Sequence, residues 1–155
     1  MPPCAPLSQA ANVLLFAGWV AKVADFGYAR MAAAGPMALK GVRYGVPYWM
    51  SPEMLSNNKF DASVDVYAFA LLAWEVVNRA IPFEGFASAE FDEGVSHGLR
   101  PHTTKILTRY GAGLSKLVEQ CWSDRPDERP TFETIVGRLE VFEAARERGG
   151  AHILL

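Results

Sequence analysis

The stretch that decides the fold is "VADFGYARMAAAGPMALKGVRYGVPYWMSPEML", residues 23–55. It begins at the end of an alternating apolar run and then loses all periodicity. Gly35, Pro36, Gly41, Gly45 and Pro47 punctuate it, so residues 28–50 are expected to form a long loop. Loops of that length inside a compact domain are uncommon and usually carry function. Asp25-Phe26-Gly27 stands at the entrance. An aspartate just past a strand end can hold a divalent cation that bridges phosphates. The glycine lets the backbone turn without a Cβ clash, and the phenylalanine anchors the turn.

Upstream of the loop, "NVLLF" (12–16) and "VAKVADF" (20–26) read as two short strands about a turn at Gly18. Downstream, "ASVDVYAFALLAWEVVNR" (62–79) reads as a helix that Ser63 can cap. Its only acids are Asp65 and Glu75, and it is apolar nearly all round, so it is expected to lie fully enclosed in the core. A short helix is expected near residues 88–97, and another over 113–122, where Leu114, Leu117, Val118 and Cys121 share helical spacing. "DRPDERP" interrupts. Residues 131–148 then form an amphipathic helix with Thr131 and Thr134 as caps and Ile135, Leu139 and Phe142 on one face. Tyr67, Trp74 and Trp122 read as core, and residues 149–155 as a frayed tail. The expected fold class is mainly α, with one small β-hairpin at its start.

The chain has 155 residues, 50% of them apolar and 21% charged, which suits one soluble globular domain. The net charge is −2 with no basic run, so neither nucleic acid nor an anionic membrane surface is an expected partner. Cys4 and Cys121 lie far apart and make no metal-ligand cluster with His97, His102 or His152. That pattern implies a reducing, cytoplasmic setting. "MPPCAPLSQA" lacks the basic and apolar regions of a signal peptide. The longest apolar-rich windows, 13–24 and 64–77, contain charges and fall short of a membrane span of about 20 residues.

Four motifs occur together and in order: Asp25-Phe26-Gly27; Ser51-Pro52-Glu53 after "GVPYWM"; Asp65 opening "DVYAFALLAWEVV"; and Cys121-Trp122 before "RPDERPTF" with Arg129. In that order and at those intervals they resemble the second half of a eukaryotic protein kinase domain, whose signature includes D-F-G followed by A-P-E. Serine stands here for the alanine. "YWMSPEML", "DVYAFALLAWEVV" and "RPTF" are most similar to the tyrosine-kinase-like group of serine/threonine kinases. The resemblance places residues 1–9 outside the match, residues 10–148 in a partial kinase domain and residues 149–155 in a tail.

The resemblance implies roles for single residues. "AANVLL" is similar to the end of the catalytic loop, H-R-D-L-x-x-x-N, so Asn12 takes the position that holds a second magnesium, with Asp25 as the other metal ligand. Leu14 takes the floor under an adenine ring, stacked on Leu72. Glu53 and Arg129 form an ion pair that ties the end of the loop to the helical core, and Asp65 caps the backbone of the catalytic loop. ATP and Mg²⁺ are the implied cofactors, and a protein is the implied substrate or partner. The loop from Asp25 to Glu53 carries Tyr28, Tyr44 and Tyr48 but no threonine. Tyr44, near Lys40 and Arg43, is therefore the expected phosphorylation site within this activation segment.

The chain also departs from the pattern. Leu7 stands five residues before Asn12, at the position of the catalytic aspartate, and Ala5, Pro6 and Gln9 replace the expected neighbours. A leucine can neither orient nor deprotonate a hydroxyl. Val46 stands where the family has a threonine whose hydroxyl bonds to the catalytic loop. These 155 residues contain no glycine-rich loop and no strand lysine for the α/β-phosphates, so the N-terminal lobe is expected to be absent. By resemblance the activity is ATP-dependent phosphorylation of protein serine or threonine, with this chain inactive alone. The alternatives are a pseudokinase-like binding module, or a fragment or truncated gene model of a larger kinase. An exposed apolar face is expected where an N-terminal lobe would sit.

Overall fold

The computed structural model describes residues 3–4, 9–25, 30–31, 47–56 and 60–149. The described chain is mainly helical, with two small two-stranded sheets. Strand β1 (Pro3–Cys4) pairs antiparallel with β4 (Arg30–Met31), and β2 (Val13–Phe16) with β3 (Val20–Val23). The β2–β3 register sets Val13 opposite Val23 and Phe16 opposite Val20. Gly18 lies in the connecting turn at φ 76°, a left-handed conformation open to a residue without Cβ. Residues 1–9 were expected to lie outside the kinase match. Two of them, Pro3 and Cys4, form the strand that pairs with Arg30–Met31.

Among the described residues six α-helices follow in order: α1 (Pro52–Leu55), α2 (Ser63–Asn78), α3 (Ser88–Ser96), α4 (Thr104–Tyr110), α5 (Ala112–Cys121) and α6 (Phe132–Gly149). The core gathers on α2. Val66, Tyr67, Ala70 and Leu71 pack with Phe91 and Val95 of α3, Ile106 of α4, Leu117, Val118 and Cys121 of α5, and Ile135 of α6. Tyr67, Trp122 and the half-buried Trp74 belong to this core.

The structure corrects two expectations for α2. The helix is enclosed only in its first half, from Val64 to Leu71. Residues 72–75 are half-buried, and Val76 is 62% exposed. The described elements against α2 cover its last two turns only in part, so apolar composition alone overstated the enclosure. The cap is also Asp61, not Ser63. Asp61 Oδ1 accepts the Ser63 backbone N–H at 2.8 Å, which satisfies a donor that the helix itself cannot. The hydroxyl and N–H of Ser63 hold the Asp61 carboxyl below its ordinary value.

At the other end of the chain, Thr131 does cap α6. Its Oγ1 accepts the Thr134 N–H at 3.2 Å, while Ile135 is buried and Leu139 packs against the core. The described residues include no helix long and apolar enough to cross a membrane.

Candidate functional site

Two antiparallel strands joined by a tight turn bring their outer ends together. The β2–β3 pairing therefore sets Asn12 and Asp25 at one end of the hairpin, where the Ala24 N–H donates to the Asn12 carbonyl at 2.8 Å. Asp25 adopts φ 60°, in the left-handed region that aspartate and asparagine enter more readily than most side chains. Asp25 is exposed and Asn12 half-buried. Leu14 lies on β2 opposite Lys22 and is 50% exposed. Its neighbours are exposed too, with Leu15 at 65%, Phe16 at 52% and Trp19 at 83%. The hairpin thus turns a row of large apolar side chains to solvent. Leu7, Phe26, Gly27 and Tyr44 lie outside the described residues.

A second group of the expected residues meets at the start of α1. Pro52 occupies its first turn, where its missing N–H costs nothing. The Ser51 carbonyl accepts the N–H groups of Met54 and Leu55, both at 3.0 Å. Ser51 is fully buried, and its hydroxyl has no hydrogen-bond partner among the described residues. Glu53 and Arg129 face each other through two bonds, Nη1 to Oε1 at 2.6 Å and Nη2 to Oε2 at 3.0 Å. The Arg129 side chain is 0% exposed and that of Glu53 11%. Such a two-pronged pair fixes direction as well as distance. Arg129 also donates to the carbonyls of Ser123 and Ser63, so one guanidinium ties α1, the start of α2 and the turn after α5. Asp65 lies half-buried in the first turn of α2.

Three residues do more here than sequence reasoning assigned to them. The first is Arg100, which donates to the carbonyls of Trp122, Val95 and Leu99 and pairs with Asp124. Its guanidinium and that of Arg129 both lie about 5 Å from the centre of the Tyr67 ring. The second is Tyr67 itself, read only as core. Its hydroxyl has no hydrogen-bond partner among the described residues, and burial pushes its pKa to about 12. The third is Glu75. One of its oxygens, Oε2, accepts both the Ala10 backbone N–H at 3.0 Å and the Trp49 indole N–H at 3.1 Å. A lone acid late in an apolar helix was the available signal, since a half-buried carboxylate needs donors. The described residues contain no group of three or more His, Cys, Asp or Glu able to hold a metal by themselves.

This geometry can be set beside known proteins. The family profile described as "Protein tyrosine and serine/threonine kinase" matches residues 8–139. A "Probable LIM domain-containing serine/threonine-protein kinase" of Dictyostelium discoideum is 37% identical over 130 residues, which cover 83% of this chain and 19% of that protein. The "Probable serine/threonine-protein kinase drkC" of the same organism is 33% identical over 131 residues, covering 83% of this chain and 17% of the relative. The "Serine/threonine-protein kinase mos" of Xenopus laevis is 33% identical over 150 residues, covering 90% of this chain and 42% of the relative. The chain therefore spans less than half the length of each of these relatives.

Proposed function

Because the chain belongs to the protein tyrosine and serine/threonine kinase family, we propose that it is the helical lobe of a serine/threonine-type kinase domain, and that by itself it transfers no phosphate. One contrast carries this reading. The hairpin brings Asn12 and Asp25 to the same end, while the sequence puts Leu7, which cannot accept a proton, five residues before Asn12.

Magnesium favours hard oxygen ligands. An amide oxygen and a carboxylate at one hairpin end fit it, with the remaining ligands supplied by nucleotide phosphates. When bound, it would neutralise charge around the transferred phosphoryl group. In this reading Asn12 and Asp25 hold the ion, and Leu14 offers an apolar face to a nucleobase. The Glu53–Arg129 pair holds the end of the activation segment against the helical core. No side chain at position 7 aligns or deprotonates an acceptor hydroxyl.

Half a pocket leaves a nucleotide in water. Isothermal calorimetry with magnesium-ATP on the purified 155-residue chain is therefore expected to give a dissociation constant no tighter than millimolar, worth about 4 kcal/mol at most. A micromolar constant would overturn this reading.

The exposed apolar side chains of the hairpin favour a second reading, a non-catalytic module that docks another protein. Trp19 and Leu15, at 83% and 65% exposure, are the side chains such a partner would cover.

A further inference from the structure

We propose that Glu75 is a positioning residue that couples the end of the activation segment to the hairpin end carrying Asn12. The two groups bound to its Oε2 come from segments 39 residues apart in sequence, Ala10 and Trp49. Ala10 opens the short 3₁₀ turn Ala10–Asn12, where the first N–H groups have no partner within the turn. Glu75 supplies that partner. The turn closes through the Asn12 N–H to the Gln9 carbonyl at 2.9 Å and ends as β2 begins, so anchoring Ala10 also sets the entry of Asn12.

Trp49 lies two residues before Ser51 and four before Glu53. Its neighbour Tyr48 is held independently, with its hydroxyl donating to the Phe86 carbonyl at 3.2 Å and its ring edge-on to Phe91 at 5.3 Å. The 47–49 segment is thus pinned to α3 through Tyr48 and to α2 through Trp49. Glu75 has no cationic partner among the described residues, and both donors meet the same oxygen, Oε2. An oxygen that accepts two N–H groups passes a displacement of one donor on to the other through the shared acceptor. A shift of Trp49 displaces the acceptor on which Ala10 depends, and the reverse holds equally.

The consequence for metal holding rests on the function proposed above, whereas the coupling does not. Nitrogen-15 NMR with amide exchange on the whole chain separates the two. Glu75→Leu is expected to speed exchange of the Ala10 amide about 10-fold, as for a lost bond to a charged acceptor. Glu75→Gln keeps a carbonyl oxygen in place and is expected to restore most of the protection. The decisive variant is Trp49→Phe, which keeps an aromatic ring but removes the indole N–H. It is expected to speed Ala10 exchange by roughly 3-fold and to shift the Asn12 amide resonance, although the lost N–H donates to Glu75 and not to either residue. Conversely, Ala10→Pro removes only the other donor, at a turn position that tolerates proline, and is expected to shift the Trp49 indole resonance. Ala10 exchange and Asn12 resonances unchanged in Trp49→Phe would overturn the coupling. Added Mn²⁺ with excess ATP tests the other reading: absence of broadening at Asn12 and Asp25 in wild type would sink metal holding and leave the coupling to stand or fall on the exchange data.

Discussion

Arg129 shows what one side chain contributes to this architecture. Each of its three nitrogens meets a fixed acceptor, and two of them face Glu53. Arg129→Ala would leave a nearly buried carboxylate and two carbonyls without their donor. Removing one partner of such a pair costs about 3–5 kcal/mol. The expected outcome is a urea midpoint lowered by that much stability, and coincident midpoints would contradict it. Tyr67 and Cys121 make a second prediction at this scale. Burial raises both pKa values to about 12, from ordinary values of 10.0 and 9.0. The unfolded chain therefore loses these protons first. Stability is fully present below about pH 9 and falls as pH rises toward about 12, at up to about 1.4 kcal/mol per pH unit for each group. Urea midpoints at about pH 8 and about pH 10.5 should differ more in wild type than in Cys121→Ala. An equal difference would show that the thiol is not held in its buried, neutral form.

Among the elements, α2 carries the most information. Leu71 is 0% exposed, whereas Val76, five residues on, is 62% exposed. Leu71→Ala is expected to cost about 2–5 kcal/mol, and Val76→Ala to stay within about 0.5 kcal/mol. Thermal or urea unfolding checks both, and equal losses would contradict the half-open placement of the helix. The sequence made α2 legible because an unbroken apolar run has one home, the core. It did not reveal that the last two turns are only half covered, since composition does not say which neighbours arrive. Helix α4 was not legible at all. Its seven residues bury only Ile106, and one buried side chain makes no period. The Asp61 cap was missed because Ser63, also a good capping residue, stood closer to the apolar run. Within the site, the motif residues stood out by spacing, and their partners did not. Glu53 and Arg129 are separated by 76 residues, Glu75 and Ala10 by 65, and only a resemblance flagged the first pair. Glu75 belongs to no motif; its role comes from where two distant donors arrive.

At the scale of the whole molecule, a well-packed helical body carries a sparsely covered hairpin. The body has the interlocking contacts of a finished core, with Arg129 and Arg100 joining helix ends around Tyr67. The hairpin leaves Leu15, Phe16 and Trp19 exposed toward its turn, with Asn12 and Asp25 at its opposite end. Phosphoryl transfer depends on positioning and charge neutralisation around the moving group. On the function proposed above, Asn12 and Asp25 would supply part of that neutralisation, and Leu7, five residues before Asn12, would supply no acceptor alignment. Restoring a carboxylate as Leu7→Asp is expected to recover no activity, because nucleotide binding fails first. The most direct measurement is transfer of labelled γ-phosphate from ATP to a generic protein substrate by the purified chain, beside an Asp25→Ala control. Equal, background-level transfer by the two proteins is the predicted result. Transfer by the wild-type chain above that control would contradict the account of a catalytically incomplete lobe.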